Sequence, residues 1–170
     1  MAAFTVLVVA VGLERVAELA VSRRNAAVSL ARGGEECGRG HYPFMVALHA
    51  GLLLGALVEV WTRRPDTSAV LAWAMFALVV AAQGLRWWCI ATLGPQWNTR
   101  VIVVPGAARV TGGPYRLLPH PNYVAVVVEG VALPLVHSAW VTAVVFTTLN
   151  GFLLATRIRT EDAALTRLAA

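Results

Sequence analysis

The chain has 170 residues, a net charge of +5 and a 58% hydrophobic composition, with a mean hydropathy of +0.68. That greasiness excludes an ordinary soluble domain and leaves an integral membrane protein. The length suits one domain, 1–170, with no room for a separate catalytic unit beside the spans, so any chemistry must be built from helix ends and loops.

A hydrocarbon core needs about 20 mainly apolar residues per helix. Candidates lie at 2–22, 42–61, 68–92, 122–136 and 138–156. The expected fold is therefore all-α, an integral membrane bundle of about five transmembrane helices. The first stretch contains Glu14, Arg15 and Glu18 and lacks a small-residue cleavage site, so it reads as a retained helix and not a cleaved signal. Glu14 and Glu18 stand one turn apart and Arg15 three residues before Glu18, a spacing that lets them pair on one face, for structure or for function. The polar loop RGGEECGRGH, 32–41, is either a flexible connection or a lid. RRPD, 63–66, reads as a short turn, with the next helix beginning at about Thr67. Near the end of that helix stand Gln83 and Arg86, where Arg86 either snorkels to the interface or contacts a ligand. Residues 93–115 are too polar and too rich in Gly and Pro to span, and RVIVV within them reads as a short extended piece. Cys37 and Cys89 have no zinc or redox spacing and read as free thiols, and no metal is expected.

The stretch GGPYRLLPHPNY, 112–123, opens the fourth span. Pro121 suits the first position of a helix, where its missing N–H is harmless, which makes His120 the cap. Asn122 and Tyr123 then fall in the first turn, whose free N–H groups and dipole favour an anion. His120 and Tyr123 are further donors there, and Pro114 fixes the turn before Tyr115. A capped helix entrance with interfacial aromatics is the equal alternative. Two features favour the site: Glu129, about 13 Å into the same helix, needs a partner or a cavity; and LPLVHSAW forces a tight hairpin that brings Arg157, Arg159, Glu161 and Asp162 back beside His120.

All 14 basic residues are Arg. Arg23, Arg24, Arg32 and Arg39 are assigned to the first loop, Arg100, Arg109 and Arg116 to the third, and Arg157, Arg159 and Arg167 to the tail. The second loop has only Arg63 and Arg64. The positive-inside rule then puts the amino terminus outside and the carboxyl terminus in the cytoplasm. Membrane lipid headgroups account for the basic excess, and no aromatic-interleaved groove remains for nucleic acid.

GPYRLLPHPNY, the intramembrane Glu129, the hairpin and RIRTED together resemble the isoprenylcysteine carboxyl methyltransferase family of membrane enzymes. ERVAELAVSRRN, GGEECGRGHYPFMVALH and LGPQWNTRVIVVPG are more specifically similar to a bacterial branch associated with type III polyketide synthases, the alkylpyrone and alkylresorcinol O-methyltransferases. The resemblance implies S-adenosylmethionine bound from the cytosol and a lipophilic substrate entering from the bilayer. It implies cofactor contacts at His120, Tyr123 and Glu161, to which the helix start adds Asn122 and Tyr115. Arg157 and Glu129 would lie at the cofactor or the acceptor. One departure is Pro119, where the family usually carries a basic residue.

Methyl transfer from a sulfonium is an in-line displacement that asks for alignment and exclusion of water. A carboxylate acceptor is already ionised at pH 7, whereas a phenol, with a reference pKa of about 10, needs a base or a stabilising cation. His120, Glu129 and Arg157 are the candidates for that task, and a phenolic acceptor gives them more to do. The competing readings are carboxyl methylation of a prenylcysteine, an NADPH-dependent membrane reductase, which a missing Gly-rich loop weighs against, and a non-enzymatic membrane scaffold.

Overall fold

A computed structural model describes residues 1–168. Five α-helices run in order: α1 (Ala2–Ala31), α2 (Tyr42–Arg63), α3 (Ala69–Leu93), α4 (Pro121–Leu135) and α5 (Trp140–Leu168). Three of them, α2, α3 and α5, are long and apolar enough to cross a membrane. The other two do not meet that measure by themselves: α1 carries Glu14, Arg15 and Glu18, and α4 has only 15 residues. The chain is an all-α membrane bundle.

Its outward surface is apolar. Val70 is 81% exposed, Phe152 75% and Trp73 71%, which suits a hydrocarbon solvent and not water. On α3 the exposed Trp73 and Trp87 stand 14 residues apart, about 21 Å along the axis. Inside, Phe4, Val8 and Val11 of α1 pack with Ala56 and Val60 of α2, Val79 of α3 and Ala132 and Leu133 of α4. This core occupies the end of the bundle that carries the amino terminus.

The α4–α5 hairpin is as tight as LPLVHSAW requires. Ala139 N–H bonds to Pro134 O at 3.0 Å and Ser138 takes a φ of 54° to close the turn. The start of α5 is capped from a distance: Glu59 of α2 accepts from Val141 N at 3.1 Å and from Thr142 N at 2.8 Å. These are first-turn amides that no residue of α5 can satisfy. Ser68 caps α3 in the usual way, accepting from Leu71 N at 3.2 Å, so that helix begins at Ala69, two residues later than Thr67.

The opposite end departs most from the sequence expectation. Helix α1 continues to Ala31, so Arg23 and Arg24 lie on a helix and not in a loop. The fifth helix does not stop at 156, where the apolar run ends: RIRTEDAALTRL continues α5, since its Ala, Leu, Arg and Glu are good helix formers. Val101–Val103 is a strand, as RVIVV suggests, and its antiparallel partner is Glu35–Cys37 inside the polar loop, with Glu36 opposite Ile102. Nothing in the composition of EEC signals a strand; the ladder is supplied by its neighbour. Arg167 on α5 reaches Glu35 at 2.7 Å, so the 32–41 loop is anchored at two points. Cys37 and Cys89 are free.

Candidate active site

His120 is the N-cap of α4 and Pro121 its first residue, but the His120 side chain makes no cap bond. It turns instead to α5, with Nε2 3.1 Å from Asp162 Oδ1 and Nδ1 3.9 Å from Glu161 Oε1. Tyr123 stacks on its ring at 5.4 Å and donates its hydroxyl to Glu161. The hairpin therefore brings HPNY and RIRTED together. It also alters the anion-site expectation: the positive end of α4 already faces the carboxylates of Glu161 and Asp162, so the charge complement of that helix start comes from within the chain.

A buried cation stands one turn earlier on α5. Arg157 is 5% exposed, donates from Nη2 to Thr99 O at 2.9 Å and lies 5.8 Å from the Tyr123 ring centre. Its Nε and Nη1 have no partner, and it forms no ion pair among the described residues. A buried guanidinium in this state calls for an anion. The segment beside it, 94–100, is fixed by α1: Asn25 Nδ2 donates to Gly94 O at 3.0 Å and Trp97 O at 2.8 Å, and Thr99 N donates to Ser22 Oγ at 2.9 Å. Those bonds position Trp97 and Asn98, whose indole N–H and side-chain amide have no partner of their own.

His120, Tyr123, Glu161, Arg157 and the segment Trp97–Thr99 line one cavity of about 430 Å³. Its polar half includes Tyr115, His120, Asn122, Tyr123, Arg157 and Glu161, together with Trp97, Asn98 and Thr99. Burial, and then the neighbouring Cys89, hold the Tyr115 phenol above its ordinary range, so at neutral pH it stays a donor. Gly113, at φ +53°, lets the chain before Tyr115 approach α3 so closely that a Cβ there would sit 2.5 Å from Thr92 Oγ1. The other half of the cavity is apolar and lies between Val16, Leu19, Met45, Val46, Leu53 and Leu153.

Where the halves meet stands a layer of charge. Arg86 Nη2 donates to Glu129 Oε2 at 2.8 Å and its Nε lies 3.6 Å from Glu18 Oε1. Arg15 pairs with Glu18 at 2.8 Å and with Glu129 at 3.4 Å. Gln83 and Trp87 both donate to Glu14. Arg86 is 5% exposed, so the snorkelling alternative fails: its charge is held inside by carboxylates of α1 and α4. Arg15, Glu18 and Arg86 line the cavity, whereas Glu129, 2% exposed, lies behind Arg86 and does not. The local pairing of Glu14, Arg15 and Glu18 is thus one edge of a network that joins three helices.

Of the sequence-proposed residues, His120, Tyr123, Asn122, Tyr115, Glu161 and Arg157 share the cavity wall, and Glu129 is one residue removed from it. Trp97, Asn98, Thr99 and His49 also line it and had no assigned role. For the first three, the only signal was the polar WNT between apolar runs.

The fold and the cavity define a helical membrane protein with a pocket of ligand size, polar at one end and apolar at the other. The profile of the isoprenylcysteine carboxyl methyltransferase (ICMT) family matches residues 73–167, and the chain belongs to that family of membrane methyltransferases, which use S-adenosylmethionine. The chain is similar to the uncharacterized protein YpbQ of Bacillus subtilis, with 37% identity over 95% of this chain and 96% of the relative. It is also similar, at 22% identity over 88% of this chain and 87% of the relative, to an uncharacterized protein of Haemophilus influenzae. No solved structure matches.

Proposed function

We propose that the protein binds S-adenosylmethionine in the polar half of the cavity and methylates the hydroxyl of a long-chain aromatic lipid, of the alkylresorcinol or alkylpyrone type, that enters from the bilayer. The observation that carries the reading is Arg157, a buried cation with two unpartnered nitrogens and no ion-pair partner among the described residues. It fits the carboxylate of an amino acid cofactor. Glu161 fits ribose hydroxyls, and His120, Tyr123, Tyr115 and Asn122 complete a polar wall around them. When bound, the cofactor supplies a methyl group on a sulfonium. The chain's own part is to hold it in line with the acceptor, exclude water and manage the acceptor's proton.

The apolar half of the cavity suits a lipid tail, and the charged layer of Arg15, Glu18 and Arg86 suits an ionising head. Within this reading Arg157 and His120 face the reacting centre, and Glu129 acts by holding Arg86 in place. The family match supports a second acceptor, the carboxylate of a prenylcysteine. Purified protein incubated with labelled cofactor and each acceptor, read by mass spectrometry, decides between them. Label on the hydroxyl lipid is expected; label only on the prenylcysteine carboxylate overturns the acceptor and keeps the methyltransferase. Binding of NADPH in place of the methyl donor turns the reading to a reductase, and binding of neither turns it to a scaffold.

A further inference from the structure

His49 stands seven residues into α2, about 10 Å below its start, on the wall of the cavity where the apolar half meets the charged layer. Its Nδ1 lies 2.8 Å from Met45 O. A carbonyl only accepts, so Nδ1 carries the proton, and in the neutral ring Nε2 is left with a free lone pair. No hydrogen bond to Nε2 is made among the described residues. The ring is also fixed in direction: Phe146 of α5 meets it edge to face at 5.4 Å and 88°, and Phe146 is itself 2% exposed. The tautomer and the orientation of a base are thus both set by the fold, inside an otherwise apolar stretch of helix.

Resting on the methyltransferase reading above, we propose that His49 is the general base for the acceptor hydroxyl. Nε2 takes the hydroxyl proton as an oxygen electron pair forms the new O–CH3 bond. The S–CH3 bond of the sulfonium donor breaks in the same step, and its pair stays on sulfur as a neutral thioether. The proton rests on Nε2 until the product leaves and water enters the cavity. The charged groups near the ring are Arg15 of α1 and Arg86 of α3, with Glu129 of α4 behind Arg86 and Glu18 of α1 on the same cavity wall; α5 contributes only Phe146 and the neutral Asn150. These guanidinium groups stabilise a forming phenolate and the carboxylates a forming imidazolium, so the layer serves both products of the proton transfer.

The test uses two acceptors of similar shape and different acidity. A 5-alkylresorcinol must lose a proton to react, whereas a 6-alkyl-4-hydroxy-2-pyrone is an enolic acid already ionised at neutral pH. His49→Gln keeps a polar group of similar size but cannot take a proton. It is expected to slow methylation of the resorcinol by about 100-fold or more at pH 7 and to regain much of that rate as pH rises toward about 10. Pyrone methylation, and the calorimetric affinities for cofactor and resorcinol, should change less than about 5-fold. Equal loss on both lipids, or none on either, overturns the base assignment. Wild-type protein that methylates neither lipid defeats the proposed function instead. Should the variant fail to fold, 15N-histidine spectra of the wild type decide: a His49 Nε2 resonance that the resorcinol leaves unmoved overturns the proposal.

Discussion

Among the arginines that line the cavity, Arg15, Arg86 and Arg157 stand deepest in the bundle, and they differ in one respect. Arg15 and Arg86 each stand within 4 Å of carboxylates, while Arg157 has only a carbonyl and the face of a tyrosine. Removing a cation that a bound anion completes should therefore act on binding and not on the fold. Arg157→Gln is expected to weaken S-adenosylmethionine binding by about 1 to 3 kcal/mol, the range for losing a charged hydrogen-bond partner, and Glu161→Gln by a similar amount. Calorimetry in detergent reads both. Unchanged affinity in two folded variants would remove the cofactor from this half of the cavity. These residues were legible in the sequence because HPNY and RIRTED are compact polar clusters at the edges of apolar runs. His49 was not: it is a lone polar residue in a greasy helix, and Phe146, which fixes it, lies on another. Arg86 could be picked out beside Gln83, but its partners could not, because Glu18 and Glu129 lie on different helices.

At the scale of elements, the site depends on how closely α4 and α5 approach. Gly130 makes that approach possible: a Cβ there would stand 2.1 Å from the Phe146 ring, and Phe146 in turn holds His49. The ring is buried and has nowhere to swing. Gly130→Ala should cost about 1 to 3 kcal/mol through overpacking, even though alanine is the better helix former. At about 2–4 °C per kcal/mol, thermal unfolding in detergent should fall by several degrees. An unchanged midpoint would mean that the helices are further apart than described here. The helices themselves could be read from apolar run length, and α4 from its opening proline. The α5 extension and the Glu35–Cys37 strand could not, because one continues the helix through a polar tail past the end of the apolar run and the other draws its geometry from Val101–Val103.

At the scale of the molecule, the fold separates the charges along the bundle axis. The end that gathers Gly113–Arg116, the two-stranded sheet and the last turns of α5 carries Arg23, Arg24, Arg32, Arg39, Arg100, Arg109, Arg116, Arg157, Arg159 and Arg167, while the other end has Arg63 and Arg64. The first residues of α1 and the last described turn of α5 lie at opposite ends, because α1 begins beside the α4–α5 hairpin, with Phe4 against His137, and Arg167 of α5 stands beside Glu35. By the positive-inside rule we propose that the Arg-rich end faces the cytoplasm, with the amino terminus outside. This orientation also meets a chemical requirement that the charge count does not contain. S-adenosylmethionine is a charged, water-soluble molecule of the cytosol, and the polar mouth of the cavity opens at the same Arg-rich end. Reporter fusions at the two ends are expected to place the carboxyl terminus in the cytoplasm. A carboxyl terminus found outside would turn Arg157, His120 and Glu161 away from the cofactor supply, and the proposed function would fall with the topology even though every contact within the bundle stood unchanged.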